Sequence, residues 1–173
     1  MIKILITISL LSVSILSVNT QAKGVYLEPE KFLEQVFESK PPKTEKLWIT
    51  KAIKSEIKSI LGHDLNVIRL RYWGKDDKTV WILEEIGRDK PITVGLVVKE
   101  NKIEQLNVLI FRESRGWEVK YPFFTDQFKQ AALTKDKELD RNIDGISGAT
   151  LSVNALTKLA RLALYLDSRV KNK

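Results

Sequence analysis

The sequence predicts an α+β fold: an antiparallel four-stranded meander flanked by two N-terminal helices and two C-terminal helices. Three observations predict it. Apolar residues recur at three- and four-residue spacing towards both ends of the chain. Between residues 66 and 111 the pattern changes to alternation and to runs rich in β-formers. The connections between those runs are a few residues long, too short for the crossovers that parallel strands need.

The elements follow in order. Residues 28–39 place Phe32, Leu33, Val36 and Phe37 on one helical face, and Pro41-Pro42 ends that helix. Residues 45–61 carry a second stripe through Leu47, Trp48, Ile49, Ala52, Ile53, Ile57, Ile60 and Leu61, with Gly62 as its stop. Strands are expected at 66–73, 79–86, 92–98 and 103–111, with turns at 74–78, 87–91 and 100–102. After Arg112 the pattern is irregular. A short helix is expected at 125–133, then a polar stretch at 134–142, then a long helix over about 152–170 through Leu156, Leu159, Ala160, Ala163, Leu166 and Val170. No internal repeat is present.

Composition narrows the chemistry. The chain has 173 residues, 43% of them hydrophobic and 29% charged, enough to bury a core. It has no Cys and one His. That excludes disulfides, thiolate nucleophiles, Cys-ligated metal or iron–sulfur sites and His-cluster metal sites. Redox chemistry here would have to come from a cofactor. His63, between Gly62 and Asp64, reads as a loop residue; Trp48, Trp73 and Trp81 read as core or core-edge residues. There is no Walker loop and no nicotinamide fingerprint.

Residues 1–22 read as a signal peptide. Lys3 supplies a positive start, residues 4–18 are uncharged and largely apolar, and Thr20-Gln21-Ala22 puts small residues at −3 and −1 for cleavage after Ala22. An uncleaved membrane anchor is the alternative, although the run is short for a span. The expected location is extracytoplasmic, in the periplasm where there is one. The net charge of +7 falls by one when Lys3 is lost, and it is spread along the chain. It reads as a solvated basic surface, and nucleic acid is not an expected partner. The expected organisation is the signal at 1–22, an N-terminal helical region at 23–64 and a functional α+β domain at 65–173.

The informative stretch is Asp144-Gly145-Ile146-Ser147-Gly148-Ala149-Thr150-Leu151-Ser152. Small residues lead into a long helix, whose first N–H groups lack internal partners and whose dipole favours an anion there. Gly145, Gly148 and Ala149 let a ligand approach the backbone, while Thr150 and Ser152 present hydroxyls. Two readings stay open from the residues alone: a phosphate site, or a helix capped by Ser147, Thr150 or Ser152.

This stretch resembles the flavinylation motif of the covalent FMN-binding domain family, which runs Asp, two variable residues, Ser/Thr, Gly/Ser, Ala, Thr, one variable residue, Ser/Thr. Asp144, Ser147, Gly148, Ala149, Thr150 and Ser152 fill it without a gap. The family includes the FMN-carrying subunits of sodium-pumping NADH:quinone reductases, their Rnf relatives and small exported respiratory flavoproteins. The resemblance implies FMN joined through its phosphate to the hydroxyl of Thr150. It also implies a flavin transferase that makes the bond from FAD with Mg²⁺, and a role for Asp144 in that modification.

Upstream, Glu113-Ser114-Arg115-Gly116, Phe124 and Gln127-Phe128 resemble the family's Glu-Thr-Pro-Gly-like turn, aromatic and Gln-Phe pair, with Arg115 in place of Pro. The resemblance covers about 91–156. It makes Glu113, Gly116 and Trp117 candidate cofactor-binding residues. Trp117 is placed to stack on a flavin or to pack in the core. Glu113 has two readings, a bond to a flavin edge or bonds to N–H groups of its own turn. Arg115 offers charge to a reduced flavin or sits in water; Arg141 and Asn142 suit a phosphate contact or a loop salt bridge. The function implied is an exported electron-transfer flavoprotein with a membrane-bound donor or redox partner protein. The alternatives are a self-contained FMN-dependent reductase and a non-catalytic exported binding module.

Overall fold

The structure, a computed structural model, describes residues 24–38 and 40–171. The expected signal segment at 1–22 lies outside the described residues. The elements run α1 (Pro29–Phe37), β1 (Glu45–Trp48), α2 (Lys51–Leu61), β2 (Arg69–Lys75), β3 (Lys78–Ile86), β4 (Pro91–Lys99), β5 (Lys102–Phe111), α3 (Pro122–Thr125) and α4 (Thr150–Lys171). Single 3₁₀ turns at Trp117–Lys120 and Asp126–Phe128 flank α3.

The meander has five strands rather than four, in the order β1-β2-β3-β4-β5, every neighbouring pair antiparallel. The extra strand comes from the start of the stripe expected to be helical from residue 45. Residues Glu45–Trp48 pair with β2, Leu47 opposite Leu70. Leu47 alone of the four is buried, so the strand is too short to display a period of two. The helix begins only after Thr50, whose hydroxyl accepts from the Ile53 N–H at 3.3 Å. Gly62 ends it in the left-handed region, as expected, and its N–H donates to Lys58 C=O.

The hairpins are tight. Gly74 and Lys75, expected in a turn, are the last residues of β2, and the turn itself is Asp76-Asp77. Glu100 and Asn101 both have positive φ (50° and 60°), the pairing that a two-residue hairpin loop between Lys99 and Lys102 requires. The β3–β4 connection is longer, spanning residues 87–90 between the paired Ile86 and Pro91.

The sheet is covered on both faces. Phe32, Leu33 and Phe37 of α1 pack on Val80, Val97 and Leu109. Gly95 makes room for the Phe32 ring, since a Cβ there would stand 2.4 Å from it. On the other face, Ile53, Ile57, Ile60 and Leu61 of α2 share a core with Leu156, Leu159, Ala163 and Leu166 of α4 and with Trp81, Val94 and Leu96 of the sheet. Each fully buried aliphatic side chain contributes about 1.5–3 kcal/mol.

The helix expected at 125–133 is instead the short α3 and a 3₁₀ turn. The left-handed Gln130 (φ 63°) ends it, and the chain then pairs with β5 through Gln130 N–H to Ile103 C=O and Ile103 N–H to Ala131 C=O. The long final helix forms as expected and begins two residues earlier, at Thr150.

Candidate functional site

The loop into α4 closes with a turn in which the Ala149 N–H donates to Ile146 C=O at 2.9 Å. Gly148 stands at φ +79°, and a Cβ there would meet nothing within 4 Å. Glycine at this position therefore answers to the backbone angle rather than to crowding. The helical ladder opens with Val153 N–H to Ala149 C=O at 3.0 Å. The N–H groups of Thr150, Leu151 and Ser152 precede it without helical acceptors. The sequence left capping open; among the described residues no hydroxyl of Ser147, Thr150 or Ser152 makes a hydrogen bond. Thr150 is exposed, while Ala149 and Ser152 are buried.

What buries them is Gly116. A Cβ on Gly116 would lie 2.8 Å from Ser152 Oγ and 3.2 Å from Ala149 Cβ, and its φ is +81°. The turn after β5 therefore rests directly on the first turn of α4. This close approach aligns two segments that are more than thirty residues apart in sequence.

Glu113 fixes the third side. Its Oε1 accepts the N–H groups of Arg88, Asp89 and Lys90 at 2.5, 2.7 and 2.9 Å. These belong to the β3–β4 turn, not to the turn that Glu113 itself opens. Desolvation pushes the carboxyl up, but the three N–H donors and the Arg88 charge outweigh it and hold the group below its ordinary value. Glu113 thereby presents the β3–β4 turn, with Arg88, to the end of α4.

The three segments enclose an open cleft of about 270 Å³. Gly148, Ala149, Thr150, Leu151 and Ser152 form one wall, Glu113, Ser114 and Arg115 another, and Arg88 the third. Two arginines thus line the cleft with the helical N–H end and one exposed hydroxyl, and the exposed Arg88 guanidinium also pairs with Asp89 at 3.4 Å. Trp117 lies just outside, in an adjoining hollow that shares Glu113 and Ser114 with the cleft.

Of the expected site residues, Thr150, Gly148, Ala149, Ser152 and Glu113 meet in this cleft, and Gly116 supports it from beneath. Ser147 and Asp144 are exposed and lie outside the lining. The Asp144 N–H is held by Gln127 Oε1 at 2.7 Å, so the Gln127-Phe128 pair anchors the loop. Arg141 bonds Asp140 and the carbonyls of Lys129 and Gln130, a loop clamp away from the cleft. Arg88, Ser114 and Leu151 were not singled out in the sequence. Arg88 carries no local signal, because only the Glu113 bonds across the sheet bring it here.

The arrangement defines an anion-cradling module at the end of an antiparallel sheet. The FMN-binding domain family model matches residues 87–165, so the chain carries a domain of that family, a flavin-binding module. No curated protein matches the chain. The matched stretch starts at Gly87 in the β3–β4 turn and ends at Tyr165 in α4, and it contains every residue that lines the cleft. The cleft fits the phosphate end of the cofactor, with Arg88, Arg115, the first residues of α4 and the exposed Thr150 in its lining and no side chain at Gly148 to obstruct the approach.

Proposed function

We propose that this protein is an exported flavoprotein that carries FMN as a phosphoester on Thr150 and works as an electron-transfer module. It would stand between a membrane-bound donor and a further redox partner protein. The observation that carries the proposal is the exposed, unbonded hydroxyl of Thr150 at the open N-terminus of a 22-residue helix, facing a cleft that contains Arg88 and Arg115.

The residues have separable tasks. Thr150 Oγ1 forms the bond to the FMN phosphorus while the anhydride bond of FAD breaks. AMP leaves with the bridging oxygen, the hydroxyl proton passes to solvent, and a flavin transferase with Mg²⁺ assists. The N–H groups of Thr150, Leu151 and Ser152 then donate to the phosphate oxygens, and Arg88 and Arg115 balance their charge. Gly116 holds the first turn of α4 in place, and Glu113 holds Arg88. Trp117 offers a flat apolar face beside the cleft. Bound flavin supplies one- and two-electron chemistry that no side chain of this Cys-free protein provides.

A tether suits an exported carrier, because a cofactor lost outside the cytoplasm is not recovered. The test is the intact mass of protein co-expressed with a flavin transferase and exported. One FMN adduct in the wild type and none in Thr150→Val is the expected result. An adduct that persists in Thr150→Val would reject the attachment site. Reoxidation of the reduced protein then separates carrier from enzyme: turnover with one small acceptor, without a partner protein, would contradict the carrier reading.

A further inference from the structure

Beside the cleft lies a group of side chains that, Trp117 apart, the flavin reading does not use. Lys120 Nζ sits 3.8 Å from the ring centroid of Tyr26, 5.1 Å from that of Tyr121 and 5.4 Å from that of Trp117. Tyr121 stacks edge-on to Trp117 at 5.7 Å and touches Phe123 at 6.3 Å. These contacts make one continuous patch from four separate rings. Exposure is 37% at Tyr26, 40% at Tyr121, 42% at Trp117 and 63% at Phe123. Leu151 on the cleft rim is a further exposed apolar side chain. Scattered apolar residues on a surface need no explanation, but a connected aromatic patch does.

Its chemistry matches a lipid–water boundary. Tyr and Trp place an apolar ring in the acyl border and a polar edge among headgroups, and Lys extends its ammonium to lipid phosphates. The charge also agrees, since Lys120 lies at the centre of the patch and the chain keeps a net positive charge, +7 in full and one less without Lys3.

The origin of the chain points the same way. The uncharged run at 4–18 precedes the described part, and residues 19–23 reach at most about 20 Å fully extended. Gly24 is fixed on the sheet edge, its C=O accepting the Phe111 N–H at 2.8 Å, and Tyr26 of the patch follows two residues later. In the alternative where the run is kept as an anchor rather than cleaved after Ala22, whatever it enters is within reach of the patch.

We propose that Tyr26, Lys120, Tyr121 and Phe123 form a lipid-docking face that rests on the headgroup layer of an anionic membrane and holds the cleft rim beside it. This rests on the export reading but does not depend on the flavin. Docking would confine the electron-transfer site to the plane where a membrane-bound donor operates, so that encounter becomes a two-dimensional search.

The absence of Cys makes the test clean. Single cysteines are introduced as Pro122→Cys, within the patch but sparing its rings, and as Asp77→Cys, in the β2–β3 turn at the opposite end of β3 from the cleft. Each carries an environment-sensitive fluorophore, and the full chain is reconstituted into vesicles of equal phosphatidylcholine and phosphatidylglycerol. The expected result is a blue shift and severalfold slower acrylamide quenching at 122, with no protection at 77. Tyr121→Ser combined with Phe123→Ser should abolish the protection, and Lys120→Glu alone should weaken it. Equal quenching at 122 and 77 would overturn the proposal, as would protection that survives the double variant. Protection at 122 that grows with protein concentration in the absence of lipid would replace it with pairing between copies of the chain. The same measurement on Thr150→Val should be unchanged, so failure of flavin attachment and failure of docking are read separately.

Discussion

The two ends of α4 are built for opposite purposes. At its C-terminal end Asp167 is fully buried, accepts the Thr79 hydroxyl at 2.6 Å and pairs with Lys171 at 3.1 Å. Thr79 in turn accepts the Trp81 indole N–H at 3.0 Å, so the helix is tied to the interior of the sheet. At its N-terminal end small residues replace large ones, three N–H groups have no helical acceptor, and Thr150 is exposed. A helix locked at one end can offer the other to a ligand without moving. The contrast separates what maintains the fold from what maintains the site, and substitutions at the two ends should differ accordingly.

The largest effect on stability is expected at the closed end. Asp167→Ala strands the Thr79 hydroxyl and Lys171, and should cost about 3 kcal/mol in denaturant unfolding. The folded fraction should still accept flavin. Next comes the platform under the open end. Gly116→Ala adds a Cβ 2.8 Å from Ser152 Oγ at a positive φ and should cost about 2 kcal/mol and depress flavin loading. Gly148→Ala meets no neighbour and should cost only the backbone strain, about 1 kcal/mol. Equal costs at the two glycines would break the distinction between support and approach.

Removing the cleft cations should separate site from fold most clearly. Arg88→Ala with Arg115→Ala is expected to change stability by less than about 0.5 kcal/mol while slowing flavin attachment about tenfold, read by mass spectrometry over time. The last effect concerns Glu113 and is read against pH. Its carboxyl is held below the ordinary 4.5, so the stability it adds is present above that value and is lost as pH falls through the lower folded value. Because the group is partly exposed, Glu113→Gln should cost no more than about 1 kcal/mol near neutrality. It should also flatten the acid limb of a stability–pH curve.

The α+β class, the meander, the first helix and the long last helix were legible because each repeats its period over many residues. β1 was not. Leu47, Trp48 and Ile49 fit the helical spacing of Ala52 and Ile53, and only the distant pairing of Leu47 with Leu70 decides against it. The segment after α3 failed for a related reason, since its partner is Ile103 of β5 rather than its own preceding turn. At the site, the local motif was readable: Gly148, Ala149, Thr150 and Ser152 are contiguous, and four of the six motif positions meet in the cleft. Arg88 was not, because its place depends on three backbone bonds to a carboxylate 25 residues away. The same bonds show Glu113 acting on N–H groups of the neighbouring hairpin turn, a partner that adjacency in sequence did not suggest.

The central claim is that the open end of α4 carries its ligand on Thr150. The most direct measurement is the intact mass of the exported protein matured with a flavin transferase, for the wild type and for Thr150→Val. One FMN adduct in the wild type and an unmodified mass in the variant, with both chains unfolding at similar denaturant concentration, is the predicted result. A stable wild-type protein without an adduct, or a variant that still carries one, would contradict it.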